Sequence, residues 1–237
     1  MDVTALPYCG GPPLPADLLG RWNLDPLLIA GLAALFFAGR ALGARTRPLA
    51  GGVAILAVLF VSPLCALSSS LFAMRVTHHV ALTSLAAPLL AAAMLRGGGN
   101  IAGWTAAHAV LFWVWHAPPV YAFALASDGA YWLMQASLLG SAVGFWRSVR
   151  GVSPPMAVAA LLVTMVQMGL LGALLTFSAA PLYAWHWTTT QGWGLTPLAD
   201  QQLAGLIMWV VGSAIYLLAA LRRASDWIGP DRRLARA

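Results

Sequence analysis

Seven stretches of about 20 apolar residues follow one another along this chain and leave little between them. They cover roughly 26–42, 49–67, 72–95, 101–125, 131–149, 155–177 and 201–221. A run of that length matches the hydrocarbon thickness of a bilayer when it is helical. In lipid each backbone polar group must be satisfied inside its own segment, which leaves helices as the economical solution for such runs. The expectation is therefore an all-α polytopic membrane protein: a single bundle of seven transmembrane helices. Composition agrees. Only 8% of residues are charged and 60% are hydrophobic, against roughly 25% charged in soluble domains. Three regions are expected: an extracytoplasmic lead-in over 1–25, the bundle over 26–222, and a basic cytoplasmic tail over 223–237.

Charge gives the orientation. The chain has no Lys and no Glu, so thirteen Arg and seven Asp carry all the formal charge. With the N-terminus outside and the C-terminus inside, eleven of the thirteen arginines fall on the cytoplasmic side, a strong positive-inside bias. The net charge of +6 then reports topology and contact with anionic lipid. The basic residues are dispersed over several loops, so nucleic acid is not an expected partner. The first 25 residues lack a basic start and an apolar core, and place Pro and Gly where a signal peptide needs hydrophobic residues.

This orientation gathers the scattered polar residues toward the outer face. Arg75, His78 and His79, with Met74, lie in the first turns of the third span. Cys65 ends the second span, Cys9 lies in the lead-in, and His116 sits in the outer half of the fourth, before Pro118 and Pro119. Asp200 and Gln201 open the seventh span, and His186 lies in the long loop before it. Ionisable groups inside a membrane are costly and call for partners or a function. Each also has a plainer use. His78, His79 and His116 can be packed, hydrogen-bonded histidines. His108 and His186 favour structural roles, and Met74 favours core packing. Asp200 suits the first turn of its own helix, after a Thr196 cap and Pro197. Cys9 and Cys65 leave three uses open: a disulfide on an oxidising face, soft ligands for Cu(I) together with imidazole, or burial. The candidate metal ligands are His79, His78, Cys9, Cys65 and His116, with Arg75, Met74, Asp200 and Gln201 supporting.

No acid–base enzyme pattern stands out: there is no Glu, no GxSxG, no HExxH and no phosphate loop. A metal-handling membrane protein is the expectation, not an enzyme. Its rivals are a copper or proton transporter and a heme-binding oxidoreductase.

Several motifs resemble one family. RWNLDP at 21–26, His79 followed by Pro88-Leu89-Leu90, FWVWHAPPVY at 112–121, GFW at 144–146, PLY at 181–183 and LADQQLAGLIMW at 198–209 are similar to the membrane-integral CtaG family of cytochrome c oxidase assembly factors. The resemblance implies a seven-helix bundle in the bacterial cytoplasmic membrane that helps mature a heme–copper oxidase, with copper as the cofactor handled, heme less so. It implies oxidase subunits, membrane lipid and other copper chaperones as partners, and leaves the oligomeric state open. His79, His116, Asp200, Gln201, Gly205, Met208 and Trp209 match the family pattern. Arg75 and Gln135 stand where the family often has histidine, and His78 where it often has Gln.

Overall fold

The computed structural model describes residues 6–95 and 97–228. Arg96, and Arg232, Arg233 and Arg236 of the expected tail, lie outside them, so their part in the orientation argument does too. Among the described residues the secondary structure is helical, with no strand. The helices are α1 (Pro26–Ala41), α2 (Thr46–Val61), α3 (Leu64–Ser70), α4 (Phe72–Ala93), α5 (Ile101–His116), α6 (Pro118–Leu125), α7 (Asp128–Gly151), α8 (Pro154–Thr176) and α9 (Pro197–Ile228). α9 continues past residue 222, where the basic tail was expected to begin.

Three of these helices, α4, α8 and α9, are long and apolar enough to cross a membrane; α2 and α3 form a fourth candidate bent by 49°. The expected seven spans are thus not reproduced by length and composition, for local reasons. Pro63 bends the second rod and Pro118 divides the fourth, because proline lacks an N–H and clashes with the preceding turn. α1 is apolar but only 16 residues long. α7 has 24 residues, yet Gln135, Ser137, Ser141, Arg147, Ser148 and Arg150 lower its apolar character. Exposed Val163, Val166, Leu170 and Leu174 on α8, with Val210, Val211, Leu217 and Leu218 on α9, form an apolar exterior suited to lipid.

Start signals are clear in the sequence. Asp25 accepts from the Leu27 N–H at 2.8 Å, Asn100 from Gly103 at 3.0 Å, Ser127 from Ala130 at 3.4 Å and Thr196 from Ala199 at 3.1 Å. Each satisfies one of the N–H groups that a helix start leaves without a partner.

The two ends of the bundle differ. At one end Arg40 donates to the Ala44 carbonyl, Arg150 to those of Ala91 and Met94, and Arg223 to that of Val152, while Arg45 N–H bonds Ala93. Cations there meet the negative ends of helices. At the other end the lead-in, α3 and the 177–196 loop interlock. Ser70 and Trp193 both donate to the Pro13 carbonyl at 2.9 and 3.1 Å, and Trp185 donates to Ser69 at 2.9 Å.

Two of the long helices contain a π-helical turn along their length: Leu82–Ala86 in α4 and Ile207–Gly212 in α9. In α4 the cause is legible. Pro88 offers no N–H to the preceding turn, and the Trp146 indole donates to the Thr83 carbonyl at 2.9 Å instead.

Candidate functional site

The site is built on α4, immediately after the extended residue Leu71. Its first turn is buried, so its N–H groups need partners from elsewhere. Asp200 supplies them. Its two oxygens accept from Phe72 N–H at 2.6 Å and Ala73 N–H at 3.1 Å, placing a carboxylate at the positive end of the helix. Asp200 also begins α9 beneath the Thr196 cap, so one residue serves two helix starts.

Gln201, next to it, fixes the preceding loop. Its Oε1 accepts from Leu182 N–H at 2.7 Å, and its Nε2 donates to the carbonyls of Leu175 and Ala180 at 3.3 and 3.4 Å. The loop then presents Tyr183, whose ring stacks on Phe72 at 3.8 Å and whose hydroxyl donates to the His116 carbonyl at 2.6 Å. That hydroxyl faces the carbonyl at the end of α5, where Pro118 and Pro119 stop the helix from continuing its own ladder. One turn further along α9, Gly205 lets α8 approach: a Cβ there would lie 2.3 Å from Thr176 Oγ1 and 2.6 Å from the Gly172 carbonyl. The PLY and DQQ residues therefore hold α4, α5 and α9 in register.

What they hold is a pair of imidazoles. The rings of His79 and His116 face each other edge to face, with centroids 5.4 Å apart. Both residues are buried. His116 Nδ1 lies 2.6 Å from the Phe112 carbonyl, so that nitrogen carries the proton and donates, leaving Nε2 as a lone-pair nitrogen. Nε2 has no hydrogen-bond partner, and neither ring nitrogen of His79 has one. Buried polar atoms are partnered in the great majority of cases, so three such nitrogens together mark the place as more than packing. A histidine with one N–H fixed by a carbonyl and the other nitrogen free has the form of a metal ligand.

His78 lies beside this pair. Its ring is 6.1 Å from that of His79 and edge-on to Phe60 at 4.8 Å; the Leu59 backbone is its polar neighbour, but its nitrogens make no hydrogen bond of full geometry. Arg75, one turn before His79 on the same face of α4, is fully buried. Its guanidinium sits over the Tyr131 ring at 5.3 Å, a cation–π arrangement. Tyr121 and Tyr131 hydroxyls are its polar neighbours, but none of its nitrogens makes a hydrogen bond of full geometry. Neither Asp200 nor Asp25 pairs with it. Asp200 caps α4, and Asp25 accepts from Tyr8 at 2.5 Å and from Leu27. Met74 is partly exposed and shares the His78 face.

Cys9 and Cys65 take the first of the three uses left open. They form a disulfide across 56 residues, with Cα atoms 5.2 Å apart. A sulfur bonded to sulfur presents no thiolate, so in this state neither residue is a copper ligand. The bridge staples the lead-in to α3, and Tyr131 donates its hydroxyl to Cys9 Sγ at 3.4 Å. Among the described residues no three of His, Cys, Asp and Glu come together as a metal cluster.

His108 and His186 are satisfied and stand apart. His108 reaches Ser141 at 3.2 Å and Tyr216 at 3.4 Å. His186 reaches Tyr121 at 2.8 Å and the Ser70 carbonyl at 3.2 Å. Burial pushes His186 down to about 3, so its ring is neutral at physiological pH. At the lead-in, burial and the bond to Asp25 push Tyr8 upward, and the Tyr8 hydroxyl holds Asp25 below its ordinary value.

Sequence reasoning missed two residues that shape this site. Tyr183 and Tyr121 anchor His116 and His186, and only the PLY and PPVY motifs hinted at them.

Residues 102–229 match the family described as cytochrome c oxidase caa3 assembly factor (Caa3_CtaG). The match covers more than half of the chain. The chain belongs to that family. No curated protein and no solved structure matches it. The matched segment holds His116, Tyr183, Asp200 and Gln201, whereas Arg75, His78 and His79 precede it.

Proposed function

We propose that this assembly factor holds copper as Cu(I) between His79 and His116 at the outer face of the bacterial cytoplasmic membrane and gives it to a cytochrome c oxidase subunit. It binds and delivers, and catalyses no reaction. The observation that carries this reading is the buried His79–His116 pair, 5.4 Å apart, with lone-pair nitrogens that no protein group satisfies. With the cysteines bridged, the donor set is two neutral imidazoles. Such a set fits a low-coordinate Cu(I) better than Cu(II), which asks for tetragonal N and O ligands, or hard ions, which ask for carboxylates. Copper would supply the metal that the oxidase centre needs. This chain's residues keep it reduced, dry and exposed to few competing ligands.

Each neighbour then has a task. Asp200 fixes the start of α4 and so the position of His79. Tyr183 fixes His116 through its carbonyl. His78 shields the pair from the Phe60 side. Arg75 keeps a positive charge near the pair, which disfavours additional cations and favours an incoming anionic ligand of the client.

The arrangement in the membrane is seven rods, with the α2–α3 and α5–α6 pairs each counted as one broken crossing. The N-terminus and the interlocked lead-in face the periplasm, and the arginine-rich end faces the cytoplasm. Its regions are the lead-in over 1–25, the bundle over 26–222 and a basic cytoplasmic segment over 223–237, into which α9 continues as far as Ile228. Oxidase subunits, and other copper chaperones upstream, are its partners.

The test is in cells. Strains whose only copy carries His79→Ala or His116→Ala should assemble oxidase with depleted copper and activity, while the variant protein stays at its ordinary level in the membrane. Oxidase with full copper in both strains would remove the delivery role.

A further inference from the structure

A cleft of about 550 Å³ opens between α1, α2 and α7, and neither His79 nor His116 lines it. Its make-up changes along its length. Asp25, Asp128 and Tyr8 stand at the mouth; Leu28, Leu32, Leu56, Phe60, Trp132 and Leu139 line the body. Between the two lies Gln135, which is only 2% exposed. Neither its Oε1 nor its Nε2 has a hydrogen-bond partner. The Tyr131 hydroxyl, one turn above on α7, reaches toward it but makes no hydrogen bond of full geometry with it. Burying an unpaired amide costs about 1–3 kcal/mol, so a group that satisfies it would be retained.

Helix geometry orders these features by depth. Asp128 starts α7, Gln135 lies two turns further in, and Leu139 one turn beyond that. On α1 the order runs from the Asp25 cap to Leu28 and Leu32. From the mouth inward the cleft offers negative charge, then an amide, then hydrocarbon. The two carboxylates are notable in a chain of net charge +6 with only seven Asp. Asp25 keeps its charge because Tyr8 and the Leu27 N–H stabilise the anion.

We infer that this cleft is a binding site for one aminophospholipid, with its ammonium at Asp25 and Asp128, an ester carbonyl on Gln135 Nε2 and one acyl chain against the leucines. The volume lies in the range of ordinary small-ligand pockets, about 300–1,000 Å³. A primary ammonium brings three N–H donors and a positive charge to two acceptors of negative charge. An anionic lipid meets the same rim with repulsion. The inference stands apart from copper, since none of the copper residues lines the cleft.

The experiment uses the full-length protein, delipidated in detergent and offered dioleoyl phosphatidylethanolamine, phosphatidylcholine and phosphatidylglycerol, with retained lipid read by native mass spectrometry. Phosphatidylethanolamine should be retained about fivefold over phosphatidylglycerol, the worth of one rim charge, and also over phosphatidylcholine, whose head has no N–H. Asp128→Asn should narrow the preference for phosphatidylethanolamine over phosphatidylglycerol, and Asp128→Lys should invert it. Gln135→Leu should shorten retention, and His79→Ala should leave the selectivity unchanged. Equal retention of the three lipids, or a preference untouched in Asp128→Lys, would overturn the site. So would a photo-crosslinker at Ala136 that labels only protein, which would assign the cleft to a client helix.

Discussion

Asp200 caps the helix that carries His79 from 128 residues away in sequence, accepting the Phe72 N–H at 2.6 Å. The same carboxylate takes the Ala73 N–H at 3.1 Å. The most recognisable motif of the chain is therefore an orienting device, one step removed from the imidazoles.

Asp200→Ala should cost about 2–3 kcal/mol, because two buried N–H groups lose a charged acceptor. Asp200→Asn, which keeps one oxygen, should cost less. Thermal midpoints in detergent, together with faster hydrogen exchange in the first turn of α4 alone, would check this. Unchanged exchange there would assign Asp200 only to its own helix.

Gly205→Ala should destabilise by about 1–3 kcal/mol, the usual cost of overpacking. Its new methyl would collide with Thr176 and the Gly172 carbonyl. Gly140→Ala, with nothing within 4 Å, should instead stabilise by about 0.5–1 kcal/mol through helix propensity. Opposite signs in the two thermal midpoints are the expected result.

The bridge between Cys9 and Cys65 should leave no free thiol in non-reduced protein and two after reduction. Its loss costs about 2–5 kcal/mol in small secreted domains, an upper bound for a bundle. Alkylation of either cysteine without reductant would contradict the staple and return both sulfurs to the ligand set.

The all-helical class, the apolar character of the runs and the Thr196 cap were legible in the sequence, because hydropathy and helix-end chemistry are local properties. The breaks at Pro63 and Pro118 were visible as residues, but whether a proline bends a span or ends it depends on what packs nearby. His79 and His116 were named separately; their meeting depends on the contact of α4 with α5, which no spacing encodes. The bridge between Cys9 and Cys65 was one of three open uses, since thiols reveal their pairing only once the lead-in is folded onto α3. Tyr183 was invisible as an anchor because a tyrosine hydroxyl declares its partner only in three dimensions.

Acid should weaken the end of the bundle that carries the lead-in. His186 takes up a proton at 6.5 when unfolded but holds out to about 3 when buried, so the unfolded chain binds more protons between those values. Stability then falls as pH drops below 6.5. Asp25 acts in the same direction lower down: its folded value lies below 3.8, so its contribution is present above 3.8 and lost as pH falls through the folded value. The thermal midpoint of wild type should drop from pH 7 to pH 5 by more than that of His186→Gln. Equal drops would show that His186 plays no part.

The central claim is that His79 and His116 together hold one Cu(I). Its most direct measurement is an anaerobic Cu(I) titration of the purified, disulfide-intact protein against a chromophoric competitor, with X-ray absorption on the loaded sample. One ion per chain and a shell of two nitrogens without sulfur are expected. His79→Ala or His116→Ala should weaken binding well beyond the 10–100-fold typical of a residue that only supports a ligand, and Asp200→Asn should fall within that range. Undiminished Cu(I) affinity in both histidine variants, or a sulfur-containing shell in wild type, would contradict the account.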